Sequence, residues 1–117
     1  MRIYRRAAFL KLPPGTIYAK GMPWVFDGIE VKGDTIGDDW SCLSLIWIES
    51  NDDADHWAKL DDMLERGDSV PMQSSYSRDG CFDKDALFLV AERDDLLKMR
   101  DMIDAAIAVS EAAHGFR

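Results

Sequence analysis

The sequence is poor in the residues from which metal and redox sites are usually built. Its 117 residues include two cysteines and two histidines. Cys42 and Cys81 lie far apart, without the C-x-x-C spacing of zinc or redox motifs. Asp79, Asp83 and Asp85 do not follow the order of a calcium-binding loop. We therefore expect no metal and no cofactor, and we expect reduced thiols, as in a cytosolic protein.

Long apolar runs are also absent. No stretch approaches the ~18 consecutive apolar residues that span a membrane. The first six residues carry charge, and the apolar stretch behind them is broken at Lys11 and at Pro13-Pro14, which is not the pattern of a secretory signal. The glycines match neither the dinucleotide-binding nor the P-loop fingerprint. We expect a cytoplasmic protein that does not bind a membrane.

Basic residues are outnumbered, 14 to 22, which gives a net charge of −8. The first 35 residues have six basic and three acidic side chains, whereas residues 36–68 have two basic and ten acidic ones. A nucleic-acid backbone requires the opposite balance, so direct nucleic-acid binding is disfavoured. The acidic middle segment suits a protein partner with a basic surface, or it serves solubility alone.

The chain does contain enough apolar material for one core. Hydrophobic residues make up 47% of it, including four Trp, five Phe and three Tyr, and its length is usual for one domain. We expect a single α+β domain over residues 1–117. Trp47 and Trp57 are predicted to belong to the core, whereas Trp24 and Trp40 lie next to turns, where a ring is often half exposed.

The first half of the chain predicts a short helix followed by strands. Phe9 anchors a helix or turn over residues 5–12, which Pro13-Pro14 ends. Asp27-Gly28 is the strongest hairpin signal in the chain. Four extended segments are predicted: 16–20, 23–26, 29–32 and 40–48. Both alternating sets of residues in the last segment are largely apolar, which is typical of a central strand covered on two faces.

The second half predicts two longer helices. Asp52 or Asp53 caps the first, and Gly67 ends it. A long loop over 68–85, a buried strand over 86–91 and a helix from about 94 to 113 follow. This order fits an α+β fold, a small twisted antiparallel sheet of about five strands with two longer helices packed on one face. A partial barrel is the alternative for the first four strands.

A loop as long as residues 68–85 is uncommon in a compact domain and is often functional. Residues that suit a nucleotide-like anion occur in this loop and near the early turns: Lys20, Trp24, Lys32, Trp40, Tyr76, Arg78, Asp79 and Asp83. Aromatic rings stack on a base, and the cations neutralise an anion. Alternatively, Arg78 pairs with Asp79 or Asp83, and the tryptophans cover the edge of the sheet.

The first long helix has an acidic side, made of Asp55, Asp61, Asp62 and Glu65, with Asp68 beyond it. Such a surface resembles the phosphates of a nucleic acid and suits a basic protein partner. Alternatively, it is a solvated face on which Asp55–Lys59 and Asp62–Arg66 form ion pairs at i,i+4 spacing.

Catalytic constellations are not evident. His56 is predicted on a helix and His114 near the end of the chain, and the serines of the long loop lack a G-x-S-x-G context. We assign no catalytic residue, and whether the protein is an enzyme stays open. A small enzyme that uses Asp79 or Asp83 as general base is one alternative.

Four segments carry a resemblance: Leu12-Pro13-Pro14-Gly15-Thr16, Lys32-Gly33-Asp34-Thr35, Asp39-Trp40 and Arg78-Asp79-Gly80-Cys81-Phe82-Asp83. With them the chain resembles, over nearly its whole length, a group of short uncharacterised proteins encoded by phages and prophages. The resemblance implies a small accessory protein in a bacterial host cytosol. We therefore expect a non-enzymatic acidic binding protein that inhibits a host defence or regulatory protein. The alternatives are a protein that sequesters a small anionic ligand and a small enzyme.

Overall fold

The computed structural model describes residues 1–80 and 83–114, so the expectation of a reduced thiol at Cys81 lies outside the described residues. The elements, in chain order, are β1 (Arg2–Arg5), α1 (Arg6–Leu10), β2 (Ile17–Gly21), β3 (Phe26–Ile36), β4 (Asp39–Ser44), α2 (Asp53–Arg66), β5 (Ser77–Arg78), β6 (Leu87–Val90) and α3 (Arg93–His114). The predicted α+β class is confirmed.

The six strands form one antiparallel sheet in the order β1-β6-β2-β3-β4-β5. Strands β2 to β5 are neighbours in chain order, and β6 returns to lie between β1 and β2. The sheet is open, with β1 and β5 at its edges, so the first strands do not close into a barrel. Strand β1 was not predicted, because its Arg-Ile-Tyr-Arg sequence has no distinct strand pattern and only pairing with β6 extends it.

The predicted hairpin at Asp27-Gly28 is wrong. Both residues lie within the long strand β3, and the turn occurs earlier, where the Met22 N–H donates to the Val25 carbonyl over 3.2 Å. Trp24 has a φ of +70° in this turn, a conformation that non-glycine residues rarely adopt. Asp27 and Gly28 lie at the register shift between the Ala19–Ile29 and Gly21–Phe26 pairs, so the dipeptide forms a bulge within β3 and not the turn.

One face of the sheet, here called the aromatic face, holds the core. Helix α1 places Phe9 against the aromatic face, and its ring stacks on that of Phe88 with the ring centroids 3.9 Å apart. Tyr18 and Trp40 meet Phe9 edge-on at 4.7 and 5.2 Å, and the Trp40 Nε1–H donates to the Tyr18 hydroxyl over 2.8 Å. Because these residues are almost completely buried, this cluster supplies much of the apolar burial in the fold.

The opposite face, here called the aliphatic face, is less covered. Cross-strand partners share a face, which places five residues together on this side: Ile17, Ile29, Val31, Leu43 and Leu89. None of the five is fully buried. The expectation that segment 40–48 is a strand covered on two faces is wrong, because β4 ends at Ser44 and Ile46 is 91% exposed.

The two long helices have clear local signals. The Asp52 side chain accepts the Asp55 N–H over 2.8 Å, and Gly67 ends α2 with a φ of +69°, as the sequence predicts. Neither helix has a buried side chain among its described residues. Trp57 is 65% exposed and Trp47 51% exposed, so their predicted place in the core is wrong. Within residues 1–80 and 83–114, no helix has the length and apolar character needed to cross a membrane.

Candidate functional site

The loop over residues 68–85 is held against the sheet. Its central part forms β5, which pairs with β4, and Met72 makes a bridge with Ile48. Gly33 permits this approach, because a Cβ atom there would lie 2.1 Å from the Ser41 hydroxyl and 2.9 Å from the Tyr76 ring. The described part of the loop therefore consists of strand β5 and its short connections, and its position is set by contacts with β3 and β4.

Asp39 fixes the far end of this loop. Its carboxylate, which is almost completely buried, accepts from Arg78 Nε at 2.8 Å and from the Gly80 N–H at 3.1 Å. Burial opposes ionisation, but hydrogen bonds from the backbone of Trp40, from Arg78 and from Gly80 outweigh it and hold the pKa of Asp39 below its ordinary value. Arg78 thus pairs with Asp39, and not with the loop acids that the alternative reading named.

A second polar cluster lies on the aromatic face beside the core. Lys20 Nζ contacts both carboxylate oxygens of Asp79 at 3.2 Å, and Cys42 Sγ lies 3.9 Å from the nearer oxygen of the same carboxylate. Glu30 completes the group: one potential ligand atom from each of Glu30, Cys42 and Asp79 lies within 4.8 Å of the others. The pairing of β3 with β4 and the return of the loop bring these residues together.

The electrostatics of this cluster keep its thiol inactive. Burial, with the negative charges of Glu30 and Asp79 next in importance, raises the pKa of Cys42 to about 12. Burial also raises the pKa of Glu30. A nucleophilic cysteine requires a lowered pKa and a positive environment, so this geometry does not activate Cys42. Lys20 already pairs with the Asp79 carboxylate in this cluster, and we assign no metal to it.

Sequence reasoning missed Glu30 and Cys42 as members of this group. They lie 12 positions apart in the chain, and no spacing rule connects them. Only the register, which places Glu30 opposite Ser44 and Lys32 opposite Cys42, puts them on one face. The period-two pattern of segment 40–48 was the one available signal, and it was interpreted as a doubly covered strand because both of its alternating sets are largely apolar.

The residues predicted to bind a nucleotide-like ligand do not form one exposed platform. Trp40 is fully buried, contrary to the expectation of a half-exposed ring, while Trp24 is 74% exposed. Lys32 is buried, and its Nζ donates to the Gly33 carbonyl and to Thr35 Oγ1. Asp83 accepts the backbone N–H of Asp85. The structure does bring Lys20 and Asp79 together, as an ion pair.

The acidic side of α2 is divided by its ion pairs. Asp55 pairs with Lys59 at 3.0 Å, and Asp62 pairs with Arg66 at 2.9 Å, as the i,i+4 spacing predicts. Arg66 also contacts Asp68 at 3.0 Å. Asp61 and Glu65 take part in no ion pair with the described residues. The five predicted partner-binding acids therefore comprise three that are paired and two that are not.

The two unpaired acids lie beside exposed apolar side chains. At 3.6 residues per turn, Trp57, Asp61, Leu64 and Glu65 share the outer side of α2. Leu64 is 81% exposed. The inner side is held by His56, whose ring stacks on Trp47 with centroids 4.8 Å apart, and by Lys59, which donates to the Glu49 carbonyl. The solvent-exposed side of α2 therefore carries both apolar and acidic side chains.

Comparison with known proteins adds no relative. No protein family, curated protein or solved structure matches the chain.

Proposed function

We propose that the protein is a non-enzymatic binding protein that uses the outer side of α2 to hold a protein partner with a basic surface. The contact surface, here called the outer α2 patch, consists of Trp57, Asp61, Leu64 and Glu65. The observation that carries the proposal is the exposure of Trp57 and Leu64 beside two acids without an ion pair in the described part of the chain.

An exposed tryptophan on a capped helix suits a binding role energetically. Tryptophan is enriched among the residues that dominate interface energies, because its large ring fills a pocket with little loss of conformational freedom. The helix is fixed before binding by the Asp52 cap and by the contacts of His56 and Lys59. Less ordering is therefore required when the partner binds.

The two unpaired acids supply orientation and speed of encounter. Complementary charge raises association rates and excludes partners of the same sign. Asp61 and Glu65 carry this role in the proposal, whereas Asp55 pairs with Lys59, and Asp62 and Asp68 share Arg66. Given the resemblance to short phage and prophage proteins, the proposed partner is a host defence or regulatory protein, which the bound chain inhibits.

The test is capture of bacterial host proteins on the immobilised chain, followed by affinity measurement with the partner that is recovered. Trp57→Ala is expected to weaken the affinity by roughly 30-fold or more, as for a central interface residue. The double variant Asp61→Lys/Glu65→Lys is expected to abolish capture, because each change replaces attraction by repulsion.

A matched control separates the patch from net charge. Asp34 and Asp38 are exposed and lie near the turn between β3 and β4, so Asp34→Lys/Asp38→Lys makes the same change in total charge at a distant surface. Its capture is expected to equal that of the unchanged chain. Equal losses in both double variants, or full capture by Trp57→Ala, would contradict the proposal.

A further inference from the structure

Helix α3 has an apolar stripe that the other described residues leave largely open. Leu96, Met99, Ile103 and Ile107 recur on one side of the helix. The first turn is tied to the sheet, because the amino group of Met1 pairs with Asp95 at 2.7 Å. Every described side chain from residue 100 to 113 is exposed, including Ile103 at 59%. A helix in water rarely maintains such a stripe without a surface that covers it.

The start of the stripe forms one wall of an open cleft. The cleft has a volume of about 1280 Å³ and lies between α3 and the sheet, where it is lined both by residues of the aliphatic face and by Lys20, Glu30 and Asp79 of the polar cluster. Its lining is largely apolar and includes Ile17, Ile29, Leu45, Leu96, Met99 and Ile103. The uncovered helix stripe and the partly covered face of the sheet are therefore continuous, and a single occupant can contact both.

The exposed area of the chain is too large for a monomer of its mass. A folded monomer of 13.2 kDa exposes about 6,400 Å², whereas this chain exposes 8445 Å². Its radius of gyration of 16.6 Å likewise exceeds the ~13 Å expected for 117 residues. The excess of roughly 2,000 Å² is more than the ~800 Å² that each partner contributes to a standard interface, and it suits a large permanent one.

The charged residues beside the apolar stripe indicate which molecule covers it. Arg93, Arg100, Asp104 and Glu111 follow one flank of α3 in that order. Two copies of this flank that run antiparallel about a two-fold axis place Arg100 opposite Asp104, and Arg93 opposite Glu111. A parallel pair about a two-fold axis would instead place this flank opposite the other flank of the partner helix, which carries Met102, Ala106 and Ala113 and offers no charge to Arg100, Asp104 or Glu111. The flank is therefore complementary to itself in the antiparallel arrangement alone, which is the property of an isologous interface.

We propose that a second copy of this chain covers the stripe, through an antiparallel pair of α3 helices that also closes the cleft. The two Arg100–Asp104 pairs of the dimer fix the register, and Ile103 and Met99 of the two copies form its apolar centre. Within one chain Arg100 lies 3.7 Å from the exposed carboxylate of Asp101, a weak surface contact that the dimer replaces. The outer α2 patch takes no part, so this proposal stands apart from the proposed function.

The test measures the mass in solution by sedimentation, with the full chain over a range of concentrations. The unchanged protein is expected to be a dimer. Ile103→Asp is expected to be a monomer, because it buries an unpaired charge at the centre of the interface. Arg100→Asp and Asp104→Arg are each expected to raise the dissociation constant about tenfold, since each creates two repulsive pairs.

A double variant that exchanges the charges of Arg100 and Asp104 distinguishes the antiparallel arrangement from others. Arg100→Asp/Asp104→Arg restores opposite charges across the antiparallel pair, so its dissociation constant is expected to return to within about threefold of the original. Lys98→Asp is the matched control, because Lys98 lies on the opposite flank, and no change is expected. Far-ultraviolet circular dichroism verifies that every variant is folded.

Three results would overturn the proposal. The first is an unchanged protein that is monomeric at tens of micromolar, with or without a co-purified small molecule in the cleft. The second is a dimer that withstands Ile103→Asp. The third is a dimer whose dissociation constant Arg100→Asp leaves unchanged, since that result shows that no Arg100–Asp104 pair forms across the interface.

Discussion

The sheet under α1 and the two long helices differ in how they are stabilised. Under α1, Phe9 contacts Tyr18, Trp40 and Phe88 within one buried cluster. Helices α2 and α3 have no buried side chain in their described parts and depend on local devices, such as the Asp52 cap and the Lys59 and Arg66 ion pairs. A helix of five residues therefore contributes more to this core than helices of 14 and 22.

The difference indicates which surfaces are open to a partner. Apolar side chains in the cluster under α1 are already covered, whereas those of α2 and α3 face solvent. Large exposed apolar groups are uncommon on monomeric proteins unless another molecule covers them. Substitutions in the two regions test whether burial stabilises the cluster under α1 and not the two long helices.

The largest effect is expected from Phe9→Ala. Removal of a fully buried aromatic ring costs about 3–5 kcal/mol of unfolding free energy, because its neighbours cannot close the cavity. Leu64→Ala, at an exposed position of α2, is the matched control and is expected to change stability by less than about 0.5 kcal/mol. Urea denaturation at one protein concentration measures both. Similar losses would show that the helices, too, are stabilised by burial.

The thiol of Cys42 is expected to react very slowly in the folded protein. With its pKa raised to about 12, the thiolate fraction at pH 8 is lower by roughly a thousandfold than for a free cysteine. The Cys81→Ser variant isolates this thiol, and mass spectrometry after iodoacetamide treatment counts the adducts. Modification is expected in urea and not in buffer. Rapid modification of the native protein would mean that the polar cluster activates its cysteine after all.

Asp39→Asn is expected to remove about 1.5–3 kcal/mol of stability at pH 7, because the buried carboxylate loses its charged bonds to Arg78 and Gly80. The pKa of Asp39 is lowered in the folded state, so its stabilising effect is present above the unfolded pKa and is lost as the pH falls through the folded one. The difference between the two proteins should therefore narrow below about pH 4. A difference that does not vary with pH would exclude the carboxylate charge as its cause.

The smallest effect is expected from Arg66→Ala, which removes two surface contacts of α2, with Asp62 and with Asp68. Exposed pairs of this kind contribute about 0.3–0.5 kcal/mol. Because salt screens exposed charges, the loss should disappear at about 1 M NaCl. Thermal unfolding at low and high salt measures it. A loss above 1 kcal/mol would mean that α2 is anchored through this arginine.

Several elements could be predicted because their signals are local. The Asp52 cap, the left-handed Gly67 and the Asp55–Lys59 pair all involve residues within a turn of one another. The helix anchored by Phe9 and the buried strand near residue 88 were also predicted close to their observed positions. For the cap, the glycine and the ion pair, the free energy that selects the conformation comes from neighbours in the chain. The helix and the strand were predicted from local apolar patterns, although packing across the sheet stabilises them.

The failures involve long-range pairing. Asp27-Gly28 favours a turn locally, but pairing of β3 with β2 on either side of it, at Phe26 and at Ile29, makes it a bulge within the strand. Trp40 was expected at a half-exposed edge and is buried under α1, whereas Trp57 was expected in the core and lies outside it. The candidate surface was predicted in part: the acidic residues of α2 were identified, but Trp57 was not recognised as part of the same exposed surface. Hydrophobicity alone does not show which apolar face of a domain is covered.

By itself, the sequence determined the α+β class, the ends of α2 and the excess of acidic charge, because these follow from local propensity, capping and composition. The tertiary structure decided which strand lies beside which, and therefore that β6 separates β1 from β2. It also decided which tryptophans remain exposed and that Arg78 pairs with the buried Asp39. These properties depend on contacts between residues distant in the chain, and the free energy of such contacts exists only once the sheet has formed.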